Sequence, residues 1–96
     1  MKKTAFFITV RDHGKTTTRK VTGYYEYVAG LPIGLHKVAE RAWVATELST
    51  GLSITTCETR LKALEKVSSM AGVIHNALND DAIISAKERI SAAYSS

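Results

Sequence analysis

The first third of the chain alternates apolar and polar residues in a pattern that predicts a β-hairpin. Residues 3–11 alternate with the period of two that is typical of an extended strand. Residues 16–28 are rich in Thr, Val and Tyr, which favour strands. Between them, residues 12–15 contain a glycine suited to a tight turn. Pairing about a two-residue turn places Lys3 opposite Tyr24, whereas a three-residue turn with a bulge would shift the pairing by one.

The two-residue turn divides the side chains of the hairpin between two faces. The face predicted to lie toward the core carries Phe6, Val21, Tyr25 and Tyr27. The opposite face carries Phe7, Lys20, Thr22 and Tyr24. Either these outer aromatic rings are exposed for binding, or they pack beneath a helix or another subunit.

The next segment contains two glycines and the single proline of the chain. Residues 29–34 predict a loop or an edge segment, and residues 35–38 predict a short strand. Residues 42–48 and 52–55 predict a second hairpin, because residues 49–51 between them form a turn sequence that ends in glycine.

Helical periodicity replaces alternation after Thr56. Apolar residues at steps of three and four predict one helix from residue 58 to about residue 78. Residues 79–81 end that helix and cap a second one, whose apolar side includes Ile83 and Ile90. The fold class expected is α+β, an antiparallel meander of four to five short strands followed by one long helix packed on the sheet and a second C-terminal helix. If the second helix extends away, its apolar side predicts a homodimer contact.

The length of 96 residues suits a single domain, with a β-meander over 1–56 and a helical part over 57–96. The single cysteine, Cys57, cannot form an internal disulfide, which favours a reducing compartment. The apolar run after the first lysines ends at Arg11, too early for a signal peptide. No apolar stretch reaches the length of a membrane span. A soluble, cytoplasmic protein is expected, with no membrane partner.

The spacing of histidine, cysteine and glycine residues along the chain indicates no catalytic, cofactor or metal site. The three histidines and Cys57 are widely separated and show no ligand spacing. Cys57 lies near a predicted helix start, but no base is placed beside it. Residues 30–34 lack the glycine spacing of a phosphate-binding loop. We therefore expect a protein that is not an enzyme and holds no cofactor.

The distribution of charge points to a partner of opposite sign. The net charge is +4, and the first 20 residues hold six Lys and Arg against one Asp, so their +5 leaves −1 for the remaining 76. This pattern predicts a basic face for an acidic partner, or a solubilising guard for a sheet edge. The predicted partner-binding residues are basic or aromatic and belong to the first hairpin: Lys3, Phe7, Arg11, Lys15, Arg19, Lys20 and Tyr24.

Two binding functions follow from this hairpin. The first is protein recognition by a small non-enzymatic protein, in the style of phage or mobile-element accessory factors that inhibit or modulate a nucleic-acid-handling host protein. Its partner would carry an acidic or nucleic-acid-binding surface. The alternative is a nucleic-acid-binding module that stacks bases on Phe7 and Tyr24 and neutralises phosphates with the neighbouring cations.

Overall fold

The computed structural model describes residues 3–95 and shows a five-stranded antiparallel meander followed by two helices. Each strand pairs with its neighbours in sequence, in the order β1-β2-β3-β4-β5. The α+β architecture expected from the sequence is therefore confirmed. The elements are β1 (Lys3–Asp12), β2 (Lys15–Val28), β3 (Leu31–Ala39), β4 (Ala42–Glu47), β5 (Leu52–Cys57), α1 (Arg60–Ala77), a 3-10 turn (Asp81–Ile83) and α2 (Ile84–Ser95).

The predicted register of the first hairpin is confirmed. Lys3 lies opposite Tyr24, and the pairing continues without a bulge to Asp12 opposite Lys15. The turn has two residues, His13 and Gly14, with φ of 50° and 78°. A turn with two positive φ values matches the right-handed twist of the strands that it joins.

The loop or edge segment predicted over residues 29–34 is wrong beyond residue 30, because β3 begins at Leu31 and lies between β2 and β4. Ala29 and Gly30 form a second two-residue turn with φ of 51° and 82°. Pro32 is accommodated because it lies just beyond the last β3–β4 pair, Ile33 with Glu47. There the Pro32 carbonyl accepts a hydrogen bond from the Leu48 N–H at 2.9 Å, and no strand requires the missing proline N–H.

The main core lies between α1 and one face of the sheet, which we call the helix face. Ala63, Val67 and Ile74 of α1 pack on a buried set of strand residues, Leu31, Ile33, Leu35 and Ala45. Burial of each large aliphatic side chain contributes about 1.5–3 kcal/mol relative to exposure. Of the stripe predicted from helical spacing, Val67 and Ile74 are buried against the sheet, but Leu61 at its start is 65% exposed, so the prediction is wrong for Leu61.

The assignment of the tyrosines to the two faces is wrong for the second half of β2. Tyr24 packs against the core on the helix face, whereas Tyr25 and Tyr27 are 40% and 66% exposed on the opposite face. The side chains of β2 nevertheless alternate between the two faces as predicted. Phe6, on the same side as Tyr25, is buried because the sheet curls over it, with its ring 6.0 Å from His36.

This curl brings the outer edge of β1 to the turn between β4 and β5. The Thr9 N–H donates to the Gly51 carbonyl at 2.7 Å, and the Thr9 hydroxyl donates to the Thr50 carbonyl at 2.8 Å. A buried carboxylate, that of Glu47, holds the turn in shape. It accepts hydrogen bonds from the N–H and hydroxyl groups of both Ser49 and Thr50, at 2.7–3.1 Å.

The second helix folds back onto the first hairpin. Ala86 and Ile90 are buried, and the Phe7 N–H of β1 donates to the Tyr94 hydroxyl at 3.1 Å. The two aromatic rings meet edge to face at 4.9 Å. Ile90 belongs to the apolar side from which a homodimer was predicted, and it is buried within the chain. The homodimer stays a prediction. Within residues 3–95, no helix is long and apolar enough to cross a membrane.

A basic and aromatic cleft at the sheet fork

The sheet divides into two branches where β2 and β3 part. The last pair between these strands is Tyr24 with Leu35. On one side of it, residues 15–23 of β2 pair with β1, and on the other, β3 continues beside β4. Gly23 stands beside this last pair and allows the two backbones to approach closely before they part, because a Cβ atom at this position would overlap the Leu35 carbonyl oxygen.

A cleft of about 350 Å³ opens at this division, and we call it the fork cleft. It lies where the two branches separate on the helix face, near the start of α1. Its lining combines two aromatic rings, two lysines and two small residues: Lys3, Thr22, Gly23, Tyr24, Lys37 and Trp43.

Cross-strand pairing places these side chains on one face. Lys3 is paired with Tyr24, and Lys37 is paired with Trp43, so all four side chains point to the helix face. The Tyr24 and Trp43 rings lie 6.0 Å apart at an angle of 37°. Each ring also packs partly against the main core, which fixes its orientation.

Arg60 completes the aromatic part of the site. It is the first residue of α1, and its guanidinium carbon lies 4.5 Å from the centre of the Tyr24 ring and 5.8 Å from that of Trp43. Cation–π contacts at partly exposed sites contribute about 0.5–1 kcal/mol each. Arg60 therefore holds both rings in place and carries a positive charge to the fork cleft.

The electrostatic character of the fork cleft is positive. Lys3, Lys37 and Arg60 bring three cations to it, and none of the lining residues within 3–95 is acidic. The acidic group nearest to Lys37 in sequence, Glu40, is 3.9 Å from its ammonium nitrogen and 93% exposed. Exposed pairs at this distance contribute at most about 1 kcal/mol, so the cleft remains attractive to anions.

The structure distributes the seven predicted binding residues over more than one surface. Lys3 and Tyr24 line the fork cleft. Phe7 is half-buried beside Tyr94 of α2, so its ring is covered rather than free to stack. The remaining cations are exposed along the first hairpin, Arg11 and Lys20 on the helix face and Lys15 and Arg19 on the opposite face.

Sequence reasoning missed three residues of the site: Lys37, Trp43 and Arg60. A two-residue turn at residues 40–41 alone would pair Lys37 with Val44. A register shift between Lys37 and Ala39 pairs Lys37 with Trp43 instead, and the strand pattern gives no signal for that shift. Arg60 could not be found from the strand pattern, because the packing of α1 alone brings it over the rings.

Two other ionisable groups have shifted pKa values, and both lie on the opposite face. A hydrogen bond to Tyr27, with desolvation and repulsion adding to it, raises the pKa of Tyr25 to about 12. Burial lowers the pKa of His36, whose Nδ1 atom has no hydrogen-bond partner within the described part of the chain. These shifts reflect local packing, since neither group lines the fork cleft.

Within residues 3–95, no group of side chains is placed to hold a metal ion. No three His, Cys, Asp or Glu side chains come together among these residues. Cys57 is half-buried, and its sulfur lies 3.7 Å from the Thr55 hydroxyl oxygen. Comparisons with protein-family models, curated proteins and solved structures find no match. The chemistry of the fork cleft therefore provides the basis for a function.

Proposed function

We propose that this protein is a non-enzymatic binding protein and that its fork cleft docks on an acidic surface of a protein partner. The observation that carries the proposal is the cluster of Tyr24, Trp43 and Arg60, flanked by Lys3 and Lys37, with no acidic residue in the lining that the structure describes. Aromatic residues beside cations suit a partner that offers carboxylates around an apolar centre.

The identity and rigidity of these residues support protein recognition. Tyr, Trp and Arg are the residue types that most often dominate the energetics of protein interfaces. Here Tyr24 and Trp43 are held on paired strands, and Arg60 is held at the first position of α1. A site already ordered in the free protein loses little side-chain entropy on binding.

The exposed cations of the first hairpin extend this positive surface. Arg11, Lys15, Arg19 and Lys20 are all exposed. Rim charges of this kind mainly accelerate association and make it depend on salt concentration. We expect them to steer an acidic partner toward the fork cleft, and the contacts within the cleft to set the lifetime of the complex.

A single-stranded nucleic acid is the second candidate, favoured by the presence of cations beside aromatic rings. Two observations weigh against it. Phe7 is covered by Tyr94, and the Arg60 guanidinium already lies over the Tyr24 ring. Base stacking would have to displace that guanidinium or use it as the platform. An acidic protein surface needs no such rearrangement.

The wider role stays a prediction. An accessory factor of a phage or mobile element, acting on a nucleic-acid-handling host protein, is compatible with an acidic target surface. A cytoplasmic location is proposed because the free thiol of Cys57 persists in a reducing compartment.

The test compares two labelled probes by fluorescence anisotropy across a salt series: a glutamate-rich peptide and a single-stranded oligonucleotide. The double variant Lys3→Gln/Lys37→Gln removes two charges from exposed positions at the fork cleft. The matched control is Lys66→Gln, an exposed lysine of α1 outside the cleft lining. We expect the double variant to weaken peptide binding about two- to fivefold per lysine, and the control to leave it unchanged.

Two outcomes would contradict the proposal. Tight binding of the oligonucleotide with no binding of the peptide would replace the protein partner by a nucleic acid. Equal peptide binding by the double variant and the control would show that the fork cleft is not the contact site.

A further inference from the structure

Along one edge of the first hairpin, backbone N–H and C=O groups are not paired with any strand within residues 3–95. In a two-residue hairpin the residues that flank the turn, Asp12 and Lys15, exchange backbone hydrogen bonds, and such pairs then alternate along the ladder. The odd-numbered residues of β2 from Lys15 to Gly23 therefore bond to β1. The even-numbered residues point their N–H and C=O groups away from β1: Thr16, Thr18, Lys20 and Thr22.

The contacts of β1 agree with this alternation. Its odd-numbered residues should point outward, and the outward N–H groups of Phe7 and Thr9 indeed bond to the Tyr94 hydroxyl and the Gly51 carbonyl. The fold thus covers the outer edge of β1 with α2 and the β4–β5 turn. It leaves the corresponding edge of β2 from Thr16 to Thr22 uncovered.

That edge is shaped to receive another strand. Its continuation, residues 24–28, already pairs with β3 along the same side of β2. The uncovered part contains no proline, and its ten-pair ladder with β1 has no bulge. Proline and bulges commonly block exposed edges, and this edge has neither. Its lysines guard it against strands of like charge, but an acidic strand can still pair there.

The charges around this edge favour an added strand with acidic side chains. Lys15, Arg19 and Lys20 project from it, and Lys3 and Lys37 lie where it ends in the fork cleft. The residues of the edge itself, 15–22, include no acidic side chain. An added strand with acidic side chains would neutralise these cations on both faces, because cross-strand neighbours of opposite charge attract each other.

We propose that an extended acidic segment of a partner protein adds to the sheet along β2, from Thr16 to Thr22, and reaches the fork cleft at its end. The proposal rests on the proposed function and specifies how the partner binds, through strand addition. The edge is about 20 Å long at about 3.3 Å per residue, so a segment of about six residues would cover it. Glutamate or aspartate at alternate positions would face Lys20 and Lys37 on the helix face.

Amide hydrogen exchange followed by NMR tests the pairing directly. In the free protein, the amides of Thr16, Thr18 and Lys20 should exchange fast, and those of Thr17, Arg19 and Val21 slowly. The probe is a synthetic peptide in which glutamate alternates with valine. At about 90% saturation we expect it to slow the even-numbered amides about tenfold and to leave the odd-numbered ones nearly unchanged.

A second peptide separates backbone pairing from charge attraction without altering the protein. It has the same sequence, with N-methyl groups on alternate amides so that the backbone cannot donate to the edge. A third peptide replaces each glutamate with lysine and controls for charge. We expect the period-two protection to be lost with both.

Each other result has a definite meaning. If the glutamate and the N-methylated peptides bind equally, and the variant Lys3→Gln/Lys37→Gln weakens both, strand addition is overturned and the proposed function stands. If the glutamate peptide does not bind at all, the acidic partner is overturned together with strand addition. If an oligonucleotide binds and the peptide does not, the occupant is a nucleic acid.

Discussion

The buried carboxylate of Glu47 makes a specific prediction about stability. Glu47 and Thr50 are 2% and 1% exposed. In the variant Glu47→Ala, the hydrogen-bond donors of Ser49 turn to water, because Ser49 is exposed. The Thr50 N–H, bonded to the carboxylate at 3.1 Å, is left buried without an acceptor. The Thr50 hydroxyl loses its bond to the carboxylate at 2.9 Å and keeps only the Glu47 backbone carbonyl at 3.3 Å.

The expected loss follows from these two donors. The buried N–H left without an acceptor costs about 1–3 kcal/mol and the lost hydroxyl bond about 0.5–1.5 kcal/mol, so we expect Glu47→Ala to lower the free energy of unfolding by about 2–4 kcal/mol. For a chain of this length that corresponds to a fall in Tm of about 8–30 °C. Glu47→Gln keeps one acceptor oxygen but turns its amide N–H groups toward donors, and should cost about 1–2 kcal/mol.

Urea denaturation monitored by circular dichroism measures both losses. The matched control is Glu65→Ala, which removes an exposed carboxylate from α1 and should change the free energy of unfolding by less than about 0.5 kcal/mol. A loss below about 1 kcal/mol for Glu47→Ala would refute the reasoning. It would mean that water enters the turn and accepts a hydrogen bond from the Thr50 N–H.

Two further predictions concern the opposite face of the sheet. Because burial lowers the pKa of His36 in the folded state, the unfolded chain binds its proton more readily. Stability should therefore fall as pH decreases below about 6.5, and urea titrations of His36→Leu should show a smaller fall. A Cβ at Gly34 would lie 2.7 Å from Phe6 and Leu48 side-chain atoms, so Gly34→Ala should lower the free energy of unfolding by about 1–3 kcal/mol. Unchanged thermal unfolding of that variant would contradict the close packing.

Local features of the sequence were sufficient to predict the first hairpin and the order of the elements. Alternation about the glycine turn predicts the pairing of Lys3 with Tyr24, because a two-residue turn determines which residues face each other. The helical stripe that contains Val67 likewise predicts which side of α1 is buried. These features depend on neighbours that are close in sequence.

The environment of each face of β2 could not be predicted in the same way. Phe6 and Tyr25 lie on the same face of the sheet. The curl of the sheet encloses that face at Phe6 and leaves it exposed to solvent at Tyr25. Strand alternation assigns Phe6 and Tyr25 to one face but not to one environment. The fork cleft is missed for the same reason, because Arg60 arrives there through the tertiary packing of α1.

The meander order has a consequence for how the chain folds. Every strand pair is formed between consecutive segments, so most contacts close short loops, which favours rapid folding. The bond between Thr9 and Gly51 joins the two ends of the meander, and the bond between Phe7 and Tyr94 joins β1 to α2, so both of these contacts close long loops. The entropic cost of closing such a loop falls once the hairpins have formed. We therefore expect mutations at Thr9 to accelerate unfolding and to leave the folding rate nearly unchanged.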